Sequence, residues 1–295
     1  MKYNIHNILK IESDLNIFPK SFLGEFKNAD LIIKKKKVEI NKNNCKKFSL
    51  KFFGGNNELY FESYFYGYPL NKFLIKNLKE FYYLKHSKRY NIGAIARMLF
   101  EINLLKKGYT LVHAGAIERN NRGYLIVAFP EGGKSSTTLS LSLENGKILS
   151  DEMIILSEKG IAYSWPTEKI KIYSGSEILK KLNLPLKREF ESKFRYIISK
   201  IPPLHRVIDA NLTLNSGYFQ TANRVKINEI ITLPKIQKYD KEFLTNRILA
   251  NTLTLFDYNF PIKVFHAYCY VNGIDPSFFV NEIKAVLSKA LDKIK

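Results

Sequence analysis

Apolar and polar positions change their spacing along the chain, and the changes divide it into elements. In NIGAIARMLFEINLLKKG, Asn91 to Gly108, the side chains of Ile92, Ile95, Ala96, Leu99, Ile102 and Leu105 fall on one helical face, and Gly108 supplies a terminus. Two strand-like runs follow, YTLVHAGAI and YLIVA, with the polar turn ERNNRG between them, which predicts a hairpin. SSTTLSLSLENG reads as a helix from about Ser135 that Asn145-Gly146 stops. KILS, MIIL and IAYSW read as strands, interrupted by Asp151-Glu152 and by a turn at Lys159-Gly160. Beyond Pro166 the pattern predicts a helix around Ser176 to Leu182, a charged segment from Lys187 to Lys200 and a break at Pro202-Pro203. A strand near VKINEIITL, a helix near Lys241 to Leu255 and a terminal helix from about Pro276 complete it. Ahead of all this, LIIKKKKVEI, KKFSLKFFGG and ELYFESYFYGY alternate only in part and predict a small antiparallel β region within residues 31 to 69. The expectation is an α/β protein with a β-rich region over 1–90 and a larger domain over 91–295.

Composition narrows the classes. With 45% hydrophobic and 14% aromatic residues the chain is globular in composition. No segment approaches about 18 consecutive apolar residues and MKYNIHNILKIESDLNIF has no signal-like apolar core, so a cytoplasmic protein without a membrane partner is expected. Cys45 and Cys269 sit in no metal-binding spacing and read as plain thiols. The net charge of +20 comes mostly from lysines spread through a chain rich in Ile, Asn and Tyr, so it reads as background and no specific nucleic-acid partner is expected. The dense run Lys34 to Lys37 reads as a solvated strand edge.

Candidate chemistry centres on AFPEGGKSST, Ala128 to Thr137. Gly-Lys-Ser is a weak signal by itself; its position after a buried strand and at the start of a helix strengthens it. Backbone N–H groups and a helix N-terminus there would cradle phosphates. Pro130, Glu131, Gly132, Gly133, Lys134, Ser135 and Ser136 form the expected nucleotide-binding stretch. Lys134 would reach the β and γ phosphates and Ser135 would ligate Mg²⁺. Asp151 and Glu152 follow one short helix and one strand later, which puts both at the end of the strand beside the loop. There one acid can serve as base and one as metal ligand. Asp151 is assigned to the base and Glu152, with Ser135, to the metal; extended-chain alternation tells that the two point apart but leaves the exchange of roles, with Asp151 on the metal, open. His113 is the third element, a proton carrier or charge partner.

The block LVHAGAIERNNRGYLIVAFPEGGKSSTTLSLSLENGKILSDEMIIL resembles the catalytic core of the HPr kinase/phosphorylase family and, in its order of elements, phosphoenolpyruvate carboxykinase. The resemblance covers Leu111 to Leu156, with a weaker similarity through ITLPKIQ into the C-terminal helices. It implies a P-loop core of that type, with a mixed sheet and flanking helices. It matches His113, Lys134, Ser135, Asp151 and Glu152 to the family's active-site positions. Ala128 stands where the first loop glycine is usual and Glu152 where a second Asp is usual. The Gly- and Arg-rich C-terminal signature of the bifunctional members is absent, so the resemblance implies kinase activity and leaves the phosphorylase activity and HPr as substrate open. The expected activity is ATP- and Mg²⁺-dependent transfer of the γ-phosphoryl group to a hydroxyl of a protein, peptide or small molecule. The alternative is a nucleotide-binding regulatory module. Relatives are often oligomers, which implies a homo-oligomer, and Arg206 is the candidate arginine of the site.

Overall fold

A computed structural model describes residues 1–37, 44–45, 48–51, 57–61, 92–129, 132–166, 169–173, 211–234, 240–255, 265–267, 269–270 and 272–294. The elements expected at 176–182, 187–200 and 202–203, along with Arg206, Pro130 and Glu131, lie outside these. The chain forms two compact units, Met1–Leu111 with Thr252–Ser288, and Val112–Asn251 with Lys289–Lys295. The helix that the pattern assigns to the larger domain, Ile92–Leu105, lies in the first of them.

The first unit holds a six-stranded sheet in the order β1 (Lys2–Ile5), β2 (Leu9–Ser13), β3 (Leu31–Lys35), β6 (Asn57–Phe61), β5 (Phe48–Lys51), β4 (Asn44–Cys45). Tyr3, Ile5, Leu9, Ile11, Leu31, Ile33, Leu59 and Phe61 alternate with more exposed neighbours and form the apolar face. The sheet is mixed where the pattern suggested antiparallel: β3 runs parallel to both β2 and β6. The lysine run is therefore not at an edge. Lys34 pairs with Glu12 at 2.9 Å and Lys36 Nζ lies 3.5 Å from the Tyr60 ring centre, so these two charges have partners on the flanking strands, while Lys35 to Lys37 are exposed as a solvated run should be. The β1–β2 hairpin escaped the pattern; its turn places His6 and Asn7 at φ of 51° and 60°, the left-handed region that Asn tolerates well. Helix α1 (Ile92–Leu105) packs on β3 and β6, and Arg97 is its one exposed side chain among those described. A helix apolar on nearly every face belongs in an interior.

β7 (Tyr109–Val112) carries the chain into the second unit, whose sheet runs β10 (Lys147–Ser150), β8 (Gly115–Arg119), β9 (Arg122–Ala128), β15 (Arg224–Leu233), β12 (Ile161–Ser164), β11 (Ile154–Ser157). The run YTLVHAGAI is two strands, not one, and His113 sits at the break between β7 and β8. The expected hairpin is β8–β9, with Asn120 and Asn121 both at positive φ as a two-residue turn of the strand twist requires. Helix α2 (Lys134–Leu143) crosses from β9 to β10 and packs on β8, β9, β10 and β13 (Lys169–Tyr173), which pairs with β14 (Asn211–Asn215). Its Leu139 joins Ile117, Ile126, Ile148 and Ile170 in the core. Helix α3 (Lys241–Leu253) follows β15, and α4 (Phe278–Leu291) is the last element. Among the described residues no helix is long and apolar enough to cross a membrane.

Candidate functional site

Strand direction brings the candidate residues to one edge of the second sheet. β8 runs antiparallel to both β9 and β10, so its first residues lie beside the last residues of the other two: Gly115 opposite Ile126 and Ala116 opposite Ser150. β15 runs parallel to β9, in register Leu233 to Ala128, and ends at the same edge. Carboxyl ends of strands are where open α/β sheets bind their ligands. The sequence expectation placed both acids at the end of the strand beside the loop. In the fold β8 lies between β9 and β10, and the helix crosses over it. A register shift between Ile148 and Ser150 bulges β10 just before the acids, the kind of irregularity that re-aims a strand end.

Helix α2 starts at Lys134 because Gly133 takes φ of 86°, a left-handed cap closed to most side chains. No side chain caps this helix start, while the Gly132 N–H donates to the Phe129 carbonyl at 2.9 Å and closes the turn that leads into it. Gly115 makes room for the rest. A Cβ there would stand 2.5 Å from Thr138 Oγ1, 3.4 Å from Lys134 Cγ and 3.6 Å from the Asp151 carbonyl oxygen. Three segments thus meet at one bare Cα. Thr138 is fixed in turn by donating to the Lys134 carbonyl at 3.0 Å.

The charged groups converge here. The Ser135 hydroxyl donates to Asp151 Oδ2 at 3.2 Å, and the Lys134 ammonium donates to the Glu152 carbonyl at 3.3 Å. Ser150 Oγ accepts the N–H groups of Glu152 and Met153 at 3.3 and 3.2 Å, fixing the turn that carries both acids. Asp151 is buried and Glu152 exposed. Burial, with the neighbouring Glu152 charge, pushes the Asp151 carboxyl up to about 6 against the opposing Ser135 hydrogen bond. Burial lowers the Lys134 ammonium to about 8, opposed by the charges of Glu152 and Asp151. A base near neutrality and a cation that is still charged there stand within one cluster.

His113 is half-buried at the strand break, where its Nδ1 lies 3.3 Å from the Asn251 carbonyl and its own carbonyl accepts from Asn251 Nδ2 at 2.6 Å. These bonds tie it to α3. Ser136 is half-buried in the first turn of α2. The structure adds a residue that the sequence reading missed. Arg247, one turn before Asn251 on α3, is buried, donates from Nη2 to the Leu233 carbonyl at 2.6 Å and holds its guanidinium 4.8 Å from the Phe129 ring centre at the mouth of the loop. Its signal was present as a cation and an amide at i and i+4 among the apolar positions of α3.

Hard oxygen donors gather at this turn: the Ser135 hydroxyl, the Asp151 carboxylate that accepts from it and the exposed carboxylate of Glu152, a set from which Ser135 and one acid suit Mg²⁺ held chiefly by phosphate and water. No cluster of three or more His, Cys, Asp or Glu side chains that could form a protein-only metal cage occurs among the described residues. Neither a protein-family model nor a curated protein matches this chain.

Proposed function

We propose that the second unit is an ATP- and Mg²⁺-dependent phosphotransferase acting on a hydroxyl acceptor. One observation carries the reading: the Ser135–Asp151 hydrogen bond of 3.2 Å, made where a left-handed Gly133 opens a helix at a sheet's carboxyl edge. The first turn of α2 offers its amides and its positive end to phosphate. Lys134 follows the phosphates as charge moves to the leaving oxygen, and Arg247 supplies a second fixed positive charge near the loop. Ser135 and an acid of the turn would hold Mg²⁺ brought with the nucleotide, and the ion would supply charge to neutralise the phosphate oxygens. Asp151 takes the acceptor proton, since a carboxyl near 6 is ionised at neutral pH and still basic enough to accept it. The exposed Glu152 would serve as the acid that holds the metal with Ser135, and His113, held by Asn251, buttresses the edge.

The test follows label from γ-labelled ATP to serine, hydroxy acids, seryl peptides and neutral polyols. Transfer to one of them, lost by about 10²-fold in Asp151→Asn with Mg²⁺-ADP affinity kept within a few-fold, is the expected outcome. Undiminished transfer by Asp151→Asn removes that residue from catalysis. Tight nucleotide binding with no transfer to any hydroxyl turns the reading towards a regulatory module.

A further inference from the structure

Beside β10, inside the second unit, lies a cavity of about 310 Å³. Its walls include Ser150, Ile170, Phe219, Thr221 and Asn223. Backbone bonds fix this wall: the Ile148 N–H donates to the Gln220 carbonyl at 2.8 Å, the Ala222 N–H to the Ile148 carbonyl at 3.0 Å, and the Ser164 N–H to the Asn223 carbonyl at 2.8 Å. The segment 220–223 therefore runs along the outer side of β10 and across to β12, and these bonds hold one wall of the partly open space.

Three properties bear on what would fit. Ligand pockets run from about 300 to 1,000 Å³, so this one suits a compound of sugar or polyol size better than a stretch of peptide. Among the described residues its lining carries hydroxyl and amide groups on an apolar wall, and no ionisable side chain. The described lining offers a carboxylate or ammonium no counter-charge for the hydration it would lose there. The third property is position. Ser150 lines the cavity, Asp151 follows it directly, and the same Ser150 oxygen holds the turn of Glu152 and Met153.

We propose that this cavity is the acceptor subsite, and that the acceptor is a small uncharged molecule bearing hydroxyl groups, one of which is presented past Ser150 to Asp151. The assignment rests on the phosphotransferase reading and sharpens it. In the step, the acceptor oxygen forms a bond to the γ-phosphorus as the bond from that phosphorus to the β–γ bridging oxygen breaks. The hydroxyl proton passes to the Asp151 carboxylate, and the products are ADP and a neutral compound's phosphate monoester.

The experiment uses the full chain with γ-labelled ATP and Mg²⁺. Glycerol, myo-inositol and glucose are the neutral probes, and L-serine, D-glycerate and a seryl peptide the charged or extended ones. Two substitutions at exposed positions of the rim are compared with wild type: Thr221→Trp, which fills the cavity, and Asn223→Leu, which removes a polar contact. Label should reach a neutral probe, and both substitutions should lower its kcat/KM by about tenfold or more. Mg²⁺-ADP affinity should stay within about two-fold, as expected of a separate subsite. Label reaching only L-serine, D-glycerate or the peptide overturns the proposal while leaving the phosphotransferase reading intact. So does equal labelling of a neutral probe by wild type and Thr221→Trp, or intact Mg²⁺-ADP binding with no neutral probe labelled. Failure to bind Mg²⁺-ADP at all removes both.

Discussion

Glu101 in the first unit and Asp151 in the second are both buried acids, and burial raises both, Glu101 to about 8 and Asp151 to about 6. Their partners differ. Glu101 accepts the Thr110 hydroxyl and, on Oε2, the Leu111 N–H at 3.0 Å, so its neighbours are the strand just after its own helix. That is a local joint between α1 and β7, closed on itself. Asp151 meets Ser135 and the charge of Lys134, which arrive from a different element at the end of a sheet, beside an exposed second acid. A displaced carboxyl by itself thus marks only desolvation. It becomes a candidate for chemistry when a hydroxyl, a cation and a helix start are brought to it.

The contrast breaks most readily in a transfer assay. Asp151→Asn should lose about 10²-fold in transfer, whereas Glu101→Gln, which replaces one neutral group by another at pH 7, should leave turnover unchanged. Equal losses would mean that both acids act only through the fold. The pH profile of kcat/KM sharpens the same point. It should rise through about 6 as Asp151 ionises and fall above about 8 as Lys134 loses its proton, each limb changing about tenfold per pH unit. A profile without the acid limb would take the proton-accepting role away from Asp151.

Glu101 predicts a stability effect instead. Its folded pKa lies above the ordinary value of 4.5, so its contribution is fully present below 4.5 and is lost as pH rises towards about 8. Urea unfolding of wild type across that window should show a loss of up to about 1.4 kcal/mol per pH unit relative to Glu101→Gln, and parallel curves would contradict the assignment. A smaller effect is expected at Gly115. Gly115→Ala should destabilise by roughly 1–3 kcal/mol, because its Cβ meets Thr138 Oγ1. Thr138→Ala should cost less in the Gly115→Ala background than in wild type, and a double-mutant cycle with no coupling would show that the two do not share this space.

Much of this was readable from residue order. Helical spacing located α1, α2, α3 and α4 to within a few residues, Asn120-Asn121 and Lys159-Gly160 marked their turns, and the hairpin–loop–helix order placed Lys134, Ser135 and Asp151 near each other. Four features were hidden for physical reasons. The β9–β15 pairing joins Ala128 to Leu233 across a long stretch of chain, and local periodicity carries no record of which distant strand a strand will meet. The interposition of β8 between β9 and β10 is likewise a matter of topology. The break at His113 falls in a continuous strand-like run, where neither Gly nor Pro announces it at that residue. Arg247 was concealed because its relevance depends on where the end of β15 and Phe129 come to lie, which its helix does not encode.

A phosphotransferase of this design requires the turn at Gly132-Gly133 to be a phosphate site. Calorimetric titration of Mg²⁺-ADP into the wild-type protein and into Lys134→Ala measures this directly. Binding to wild type that weakens about ten- to a hundred-fold in Lys134→Ala, the scale of a lost hydrogen bond to a charged group, is the predicted result. Equal affinity in the two proteins, or no binding to wild type, would contradict it.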